Sequence, residues 1–152
     1  MKNIVFVCTG NICRSPMAEG LLKHRIEGQE NVSVQSAGLA AGTGLPPSEH
    51  AVSVMNELGI DITNQASQPL TEKLIREADL LFVMTYGHLD SMLMHFPEAS
   101  EKTFLVRQFI TDTKLSNFEV SDPIGQSINI YRRCRDEIAE AMDSVLEQIK
   151  KI

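Results

Sequence analysis

The sequence predicts one α/β domain in which a parallel sheet carries helices on both faces. Two observations predict it. Ile4-Val5-Phe6-Val7 and Leu80-Leu81-Phe82-Val83-Met84 are short, continuous apolar runs rich in β-branched and aromatic residues, the pattern of strands buried on both faces. Between such runs lie segments whose apolar residues recur at helical spacing. Strands that alternate with helices build a parallel sheet.

The elements follow in order. The first strand stops at Thr9-Gly10-Asn11, and Ser15-Pro16 predicts a helix start, with Ser at the cap and Pro in the first turn. Met17, Ala18, Leu21, Leu22 and Ile26 continue that helix, and Gly28 closes it. Val32 to Ser36 alternates as a second strand, and Gly38 to Gly44 is a loop whose glycines do not match a dinucleotide fingerprint. Ser48 leads into a helix through Val52, Met55 and Leu58 that ends at Gly59. Thr71 caps a short helix to Arg76, Leu80 to Met84 is the third strand, His88 to His95 is helical, and Thr103 to Val106 is the fourth strand. The last helix runs from about Ser127 to Lys150 on the stripe Ile130, Cys134, Ile138, Met142, Val145 and Ile149. With no repeat and no linker composition, residues 1–152 read as one domain.

Composition narrows the function classes. With 43% hydrophobic residues in 152, the chain can bury one substantial core. A net charge of −6 argues against a general nucleic-acid binder and against a polybasic membrane anchor. No apolar run approaches the roughly 18 residues of a membrane span. The run before Cys8 is too short for a signal peptide, and three cysteines make a poor disulfide framework, so a reducing, cytoplasmic location is expected. His24, His50, His88 and His95 are scattered without metal-ligand spacing, and neither metal nor cofactor is expected. Arg132, Arg133 and Arg135 beside Asp136 and Glu137 predict a solvated helix face.

Residues 8–15, Cys8-Thr9-Gly10-Asn11-Ile12-Cys13-Arg14-Ser15, join a buried strand to a helix N-terminus, the place where an open α/β sheet binds ligands. A loop wrapped onto a helix start turns successive backbone N–H groups inward as an anion nest. Gly10 permits a backbone angle that other residues resist, and Asn11 tolerates the left-handed conformation and can brace the loop with its amide. Arg14 offers a planar fork for two phosphate oxygens. Cys8 then lies beside a cation, a helix dipole and several donors, all of which favour a nucleophilic thiolate. Ser15 can hydrogen-bond that sulfur and ease its departure. Cys13 is a second thiol placed to pair reversibly with Cys8, whereas Cys134 belongs to the core. Asp122 is the expected acid for a leaving group, because Pro123 holds it extended after the fourth strand.

These motifs resemble the low-molecular-weight protein tyrosine phosphatases. The likeness rests on the N-terminal Cys-(five residues)-Arg-Ser loop, on Ser36-Ala37-Gly38 after strand two and on the late Asp122-Pro123. It implies a four-stranded parallel sheet and a metal-free, two-step reaction on a phosphorylated protein substrate. Cys8 attacks phosphorus, while Arg14 and the amides of Thr9, Gly10, Asn11, Ile12, Cys13, Arg14 and Ser15 hold the phosphoryl oxygens. Asp122 protonates the leaving group and then activates water. Relatives often place a His near Gln65 to brace the loop Asn, so Gln65 is expected to substitute for it.

Substrate choice is read from the pocket walls. Relatives acting on phosphotyrosine commonly carry aromatic residues after strand two and after Asp-Pro, but here those loops are Leu39 to Leu45 and Ile124-Gly125, without an aromatic. Asp122 to Tyr131 and Arg135-Asp136-Glu137 resemble the bacterial arginine-phosphatase branch. That branch typically has Thr at the position of Ile12, and many tyrosine phosphatases have Ile. Phosphotyrosine and aryl phosphates are therefore expected, with protein arginine phosphatase as the alternative. An arsenate reductase would use further cysteines after strand three, and residues 85–100 contain none. A phosphate-binding module without catalysis would not need both Cys8 and Asp122.

Overall fold

The computed structural model describes residues 1–111 and 117–152. Ten elements follow in order: β1 (Lys2–Cys8), α1 (Arg14–Arg25), β2 (Val32–Gly38), α2 (Glu49–Asn56), α3 (Glu72–Glu77), β3 (Leu80–Val83), α4 (Tyr86–His95), a 3₁₀ helix (Pro97–Lys102), β4 (Thr103–Leu105) and α5 (Ile128–Lys150). The strands form one four-stranded parallel sheet in the order β2-β1-β3-β4. β1 is central, pairing Lys2 to Val32 through Cys8 to Gly38 on one side and Ile4 to Leu80 through Val7 to Val83 on the other.

Alternation along β1 divides the interior into two layers. Ile4, Phe6 and Cys8 face one side, where α1, α2 and α5 supply Met17, Leu22, Val54, Met55, Ile138 and Val145. Val5 and Val7 face the other, against Ile75 of α3 and Met92 of α4. Phe6 and Phe82 are fully buried and stack across neighbouring strands with ring centroids 5.7 Å apart. Burying each such ring contributes on the order of 2–3 kcal/mol. Because the chain runs outward from β1 to β2 in one direction and to β3 in the other, the sheet reverses its order at the carboxyl end of β1. In such sheets the crevice for ligands lies there, and it is where residues 9–13 lie.

Several expectations change in detail. Helix α1 begins at Arg14 with Cys13 at its cap position and no side-chain cap, so Ser15 lies inside the helix and its hydroxyl is used elsewhere. The loop residue with left-handed backbone is Asn11, at φ 57°, and Gly10 has no positive φ. A Cβ at Gly10 would meet only the Ile12 side chain, at 3.8 Å, so Gly10 is not required on steric grounds. Arg135 is buried rather than solvated: its Nη1 donates to Val54 O at 2.8 Å and to Glu57 Oε1 at 2.7 Å. With Arg132, also on Glu57, it ties α5 to the C-terminal end of α2, where cations complement the helix dipole. The 3₁₀ helix at Pro97–Lys102 was not foreseen.

Candidate active site

The site is assembled from the end of β1 outward. Cys8 is the last residue of β1 and is buried, with its sulfur 3.0 Å from Ser15 Oγ in the first turn of α1. Asn11 bridges the loop from within. Its Nδ2 donates to Ser15 Oγ at 2.8 Å and to Ser36 Oγ at 2.9 Å, and its Oδ1 accepts from Gln68 N at 3.0 Å. Ser36 in turn donates to Glu19 Oε1 at 2.7 Å, and Lys23 holds the other oxygen of that carboxylate at 2.6 Å. The chain of bonds has a direction. A carboxylate only accepts, and the Asn11 amide spends both hydrogens on the two serines. Ser15 Oγ therefore accepts from Asn11 and has its own hydrogen left for the Cys8 sulfur.

Gln65 does not brace Asn11, because its Nε2 donates to Pro16 O at 3.0 Å. Ser36 and the backbone N–H of Gln68 take that place. Gly38 permits the close approach this needs: a Cβ there would lie 2.6 Å from Thr9 O and 3.1 Å from Asn11 N.

Arg14 is buried, and its Nη1 donates to Val120 O at 2.9 Å. Its Nε has no partner among the described residues. A buried guanidinium N–H left unpaired is costly, and an anion in the loop would satisfy it. Asp122 approaches from the other side, with Oδ2 3.8 Å from Arg14 Nη2. Its other oxygen accepts from Ile124 N at 3.1 Å, and Gln126 Nε2 donates to its backbone carbonyl at 3.2 Å. Asp122 is about half exposed, at 48%, so its carboxylate is open to solvent at the mouth of the site.

These residues enclose a pocket of about 230 Å³ lined by Cys8, Thr9, Gly10, Ile12, Cys13, Arg14, Asp122 and Ile124. All three residues picked from the sequence for chemistry, Cys8, Arg14 and Asp122, meet in it. Beside the polar Thr9 and Asp122, its side walls are aliphatic, from Ile12 of the loop and the exposed Ile124.

The other two thiols are held toward their neutral form. Burial pushes the Cys13 thiol up from its ordinary value, and that sulfur contacts Tyr131 OH at 3.3 Å and Ser48 Oγ at 3.5 Å. Burial likewise pushes Cys134 up to about 11, and its Sγ lies 3.2 Å from Ser121 O. Tyr131, desolvated and bonded to Cys13, is pushed up to about 12.

His88 was missed by sequence reasoning. Its ring reaches the loop from the first turn of α4, with Nε2 2.9 Å from Thr9 Oγ1. The available signal was position, since His88 follows the carboxyl end of β3 on the rim where ligands bind. Glu19, Ser36 and Tyr131 were missed as site residues too. Glu19 and Tyr131 lie on helix faces that read as ordinary packing.

A parallel α/β sheet, a strand-to-helix loop from Cys8 to Ser15 and an Asp over its mouth make up the architecture of a small α/β phosphatase. The comparisons with known proteins agree. Residues 3–152 match the low molecular weight phosphotyrosine protein phosphatase family, and the chain belongs to it. It is 41% identical over 150 residues to a protein-arginine-phosphatase of Bacillus subtilis, covering 98% of this chain and 97% of that one. It is 33% identical over 152 residues to a probable low molecular weight protein-tyrosine-phosphatase, EpsP, of Ralstonia nicotianae, covering 100% and 99%. Among solved structures, the YwlE arginine phosphatase of Geobacillus stearothermophilus superposes with a TM-score of 0.88 at 38% identity, covering 99% of this chain and 94% of that one.

Proposed function

We propose that this phosphatase hydrolyses protein phosphotyrosine and aryl phosphates through a phosphocysteine intermediate. In the first step the Cys8 sulfur attacks phosphorus and the bond to the ester oxygen breaks. The departing oxygen takes a proton from Asp122, while Arg14 and the loop amides hold the three remaining oxygens. In the second step water gives a proton to Asp122 and attacks phosphorus. The Cys8 sulfur leaves, accepting the Ser15 hydrogen bond, and inorganic phosphate is released. A reducing cytoplasm, where thiols are kept free, would suit a Cys8 nucleophile.

The observation that carries the substrate class is the apolar wall of Ile12 and Ile124. A phenol ring loses nothing against methyl groups. A guanidinium carries several N–H donors, and the Ile12 and Ile124 side chains offer it no acceptor, so the faces it turns to them cost free energy and only Asp122 and Thr9 in the lining could accept from it. The second reading, a protein arginine phosphatase, is favoured by the end-to-end likeness to relatives of that name.

The test compares kcat/KM on phosphotyrosine and phosphoarginine peptides. Wild type is expected to prefer phosphotyrosine, and Ile12→Thr to raise relative activity on phosphoarginine. Preference for phosphoarginine in wild type would overturn the tyrosine assignment. Cys8→Ser is expected to lose turnover on both substrates, and rapid acid quench of wild type to trap the phosphoryl group on Cys8. Finding it on Cys13 would overturn the mechanism.

A further inference from the structure

One buried titratable group at the site has no part in the reaction described above. His88 is only 7% exposed, and its ring reaches the phosphate loop. Its position is over-determined. Thr85 caps α4 by accepting from His88 N at 3.1 Å, which fixes the backbone from which the ring projects. Nε2 then lies 2.9 Å from Thr9 Oγ1, while Nδ1 is buried and has no partner among the described residues. Thr9 itself is exposed and lines the pocket beside Cys8.

The ring is neutral near pH 7, because burial, and after it the Arg14 guanidinium, push His88 down to about 4 against the opposing charge of Asp122. A neutral imidazole has one N–H and one lone pair. If Nε2 accepted from the Thr9 hydroxyl, the proton would sit on Nδ1 as an orphaned, buried N–H. Orphaned buried donors are rarer than orphaned acceptors. The assignment that avoids one puts the proton on Nε2, which donates to Thr9 Oγ1. The Thr9 oxygen is then occupied as an acceptor from behind, and its own hydrogen is free to turn into the pocket.

We propose that Thr9 donates its hydroxyl hydrogen to a phosphoryl oxygen of the bound substrate, and that His88 is the positioning residue that aims it. Thr9 thus adds a side-chain donor to the backbone amides of the loop. His88 acts only through Thr9.

This inference rests on reading residues 8–15 as a phosphate-binding loop, and the test separates the two. Competitive inhibition by inorganic phosphate and kcat/KM on an aryl phosphate are measured for wild type, Thr9→Val, Thr9→Ser, His88→Phe, His88→Gln and Thr9→Val/His88→Phe. Thermal unfolding confirms that each variant is folded. Failure of phosphate to inhibit wild type would sink the loop reading itself. With inhibition present, Thr9→Val is expected to lower kcat/KM and phosphate affinity about ten-fold or more, as for a donor lost to a charged acceptor. Thr9→Ser, which keeps the hydroxyl, should recover most of what Thr9→Val loses, and His88→Gln, which keeps an N–H, should recover part of what His88→Phe loses. The double variant should be no worse than Thr9→Val alone, because residues acting as one unit are not additive. Wild-type behaviour of Thr9→Val, or additive losses in the double variant, would overturn the inference and leave the loop reading intact.

Discussion

At the scale of single residues, the proposed mechanism assigns phosphate binding to a buried group and proton transfer to an exposed one. Arg14 is fixed by Val120 O and buried, whereas Asp122 stands half exposed at the mouth, 3.8 Å from it. A positioned acid matters in proportion to how poor the leaving group is. Asp122→Ala is therefore expected to cut kcat about 10²–10⁴-fold on an alkyl-like or phenyl phosphate. The loss on an activated aryl phosphate, whose oxygen departs without protonation, should be much smaller. Equal losses on both substrates would remove Asp122 from the acid role. Cys8, Arg14, Ser15 and Asp122 were all legible as candidates in the sequence, because each belongs to a local pattern that chemistry constrains. His88 was not, since its only link to the loop is a bond across 79 positions of chain. Gln65 illustrates the converse: a residue of suitable type near the expected position turns to Pro16 O, and the bracing passes to Ser36 and the Gln68 amide.

At the scale of elements, the loop holds its shape because β2 ends against it. Ala40 N donates to Thr9 O and Leu39 N to Cys8 O, both at 2.9 Å, so the turn after β2 is hydrogen-bonded to the phosphate loop. Gly38 makes that contact possible, and there the limit is backbone against backbone. Its added Cβ would stand 2.6 Å from Thr9 O, and a carbonyl tied into the loop cannot swing away as a side-chain tip would. Gly38→Ala is thus expected to displace the loop and lower kcat/KM roughly a hundred-fold. The accompanying loss of stability should be about 1–3 kcal/mol, the usual cost of overpacking. Activity within a few-fold of wild type would show that the loop relaxes freely. The strands were legible because buried β-branched runs permit few other readings. The start of α1 lies two residues earlier than expected, with the cap at Cys13 and not Ser15, since the loop itself ends the strand and no side-chain cap is needed. Arg135 was misread as solvated because charge in a helix reads as surface, and only the docking of α5 on α2 reveals the carbonyl of Val54 as its partner.

At the scale of the whole molecule, one buried ring and two carboxylates contribute to the response to acid. Burial and Arg14 lower His88 from the ordinary 6.5 to about 4 in the folded chain. Between those values the unfolded chain binds a proton that the native chain does not, so stability rises with pH across this window. The contribution is fully present above about pH 6.5 and is lost as pH falls through 4. Its full size is on the order of 3 kcal/mol. Glu57 acts in a lower window. Hydrogen bonds from Arg132 and then Arg135 lower it to about 2, so its contribution is present above 4.5 and lost as pH falls through 2. Glu137, held up by burial, works in the opposite sense and favours the folded chain in acid. Chemical denaturation at a series of pH values separates these effects by difference. His88→Gln should flatten the stability curve between pH 6.5 and 4 and leave its slope below 4 unchanged. Glu57→Gln should leave the upper window alone and flatten the curve below pH 4.5. If wild type and His88→Gln lose stability in parallel from pH 6.5 to 4, then His88 is not held neutral beside Arg14. In that case its hydrogen bond to Thr9 carries no fixed direction.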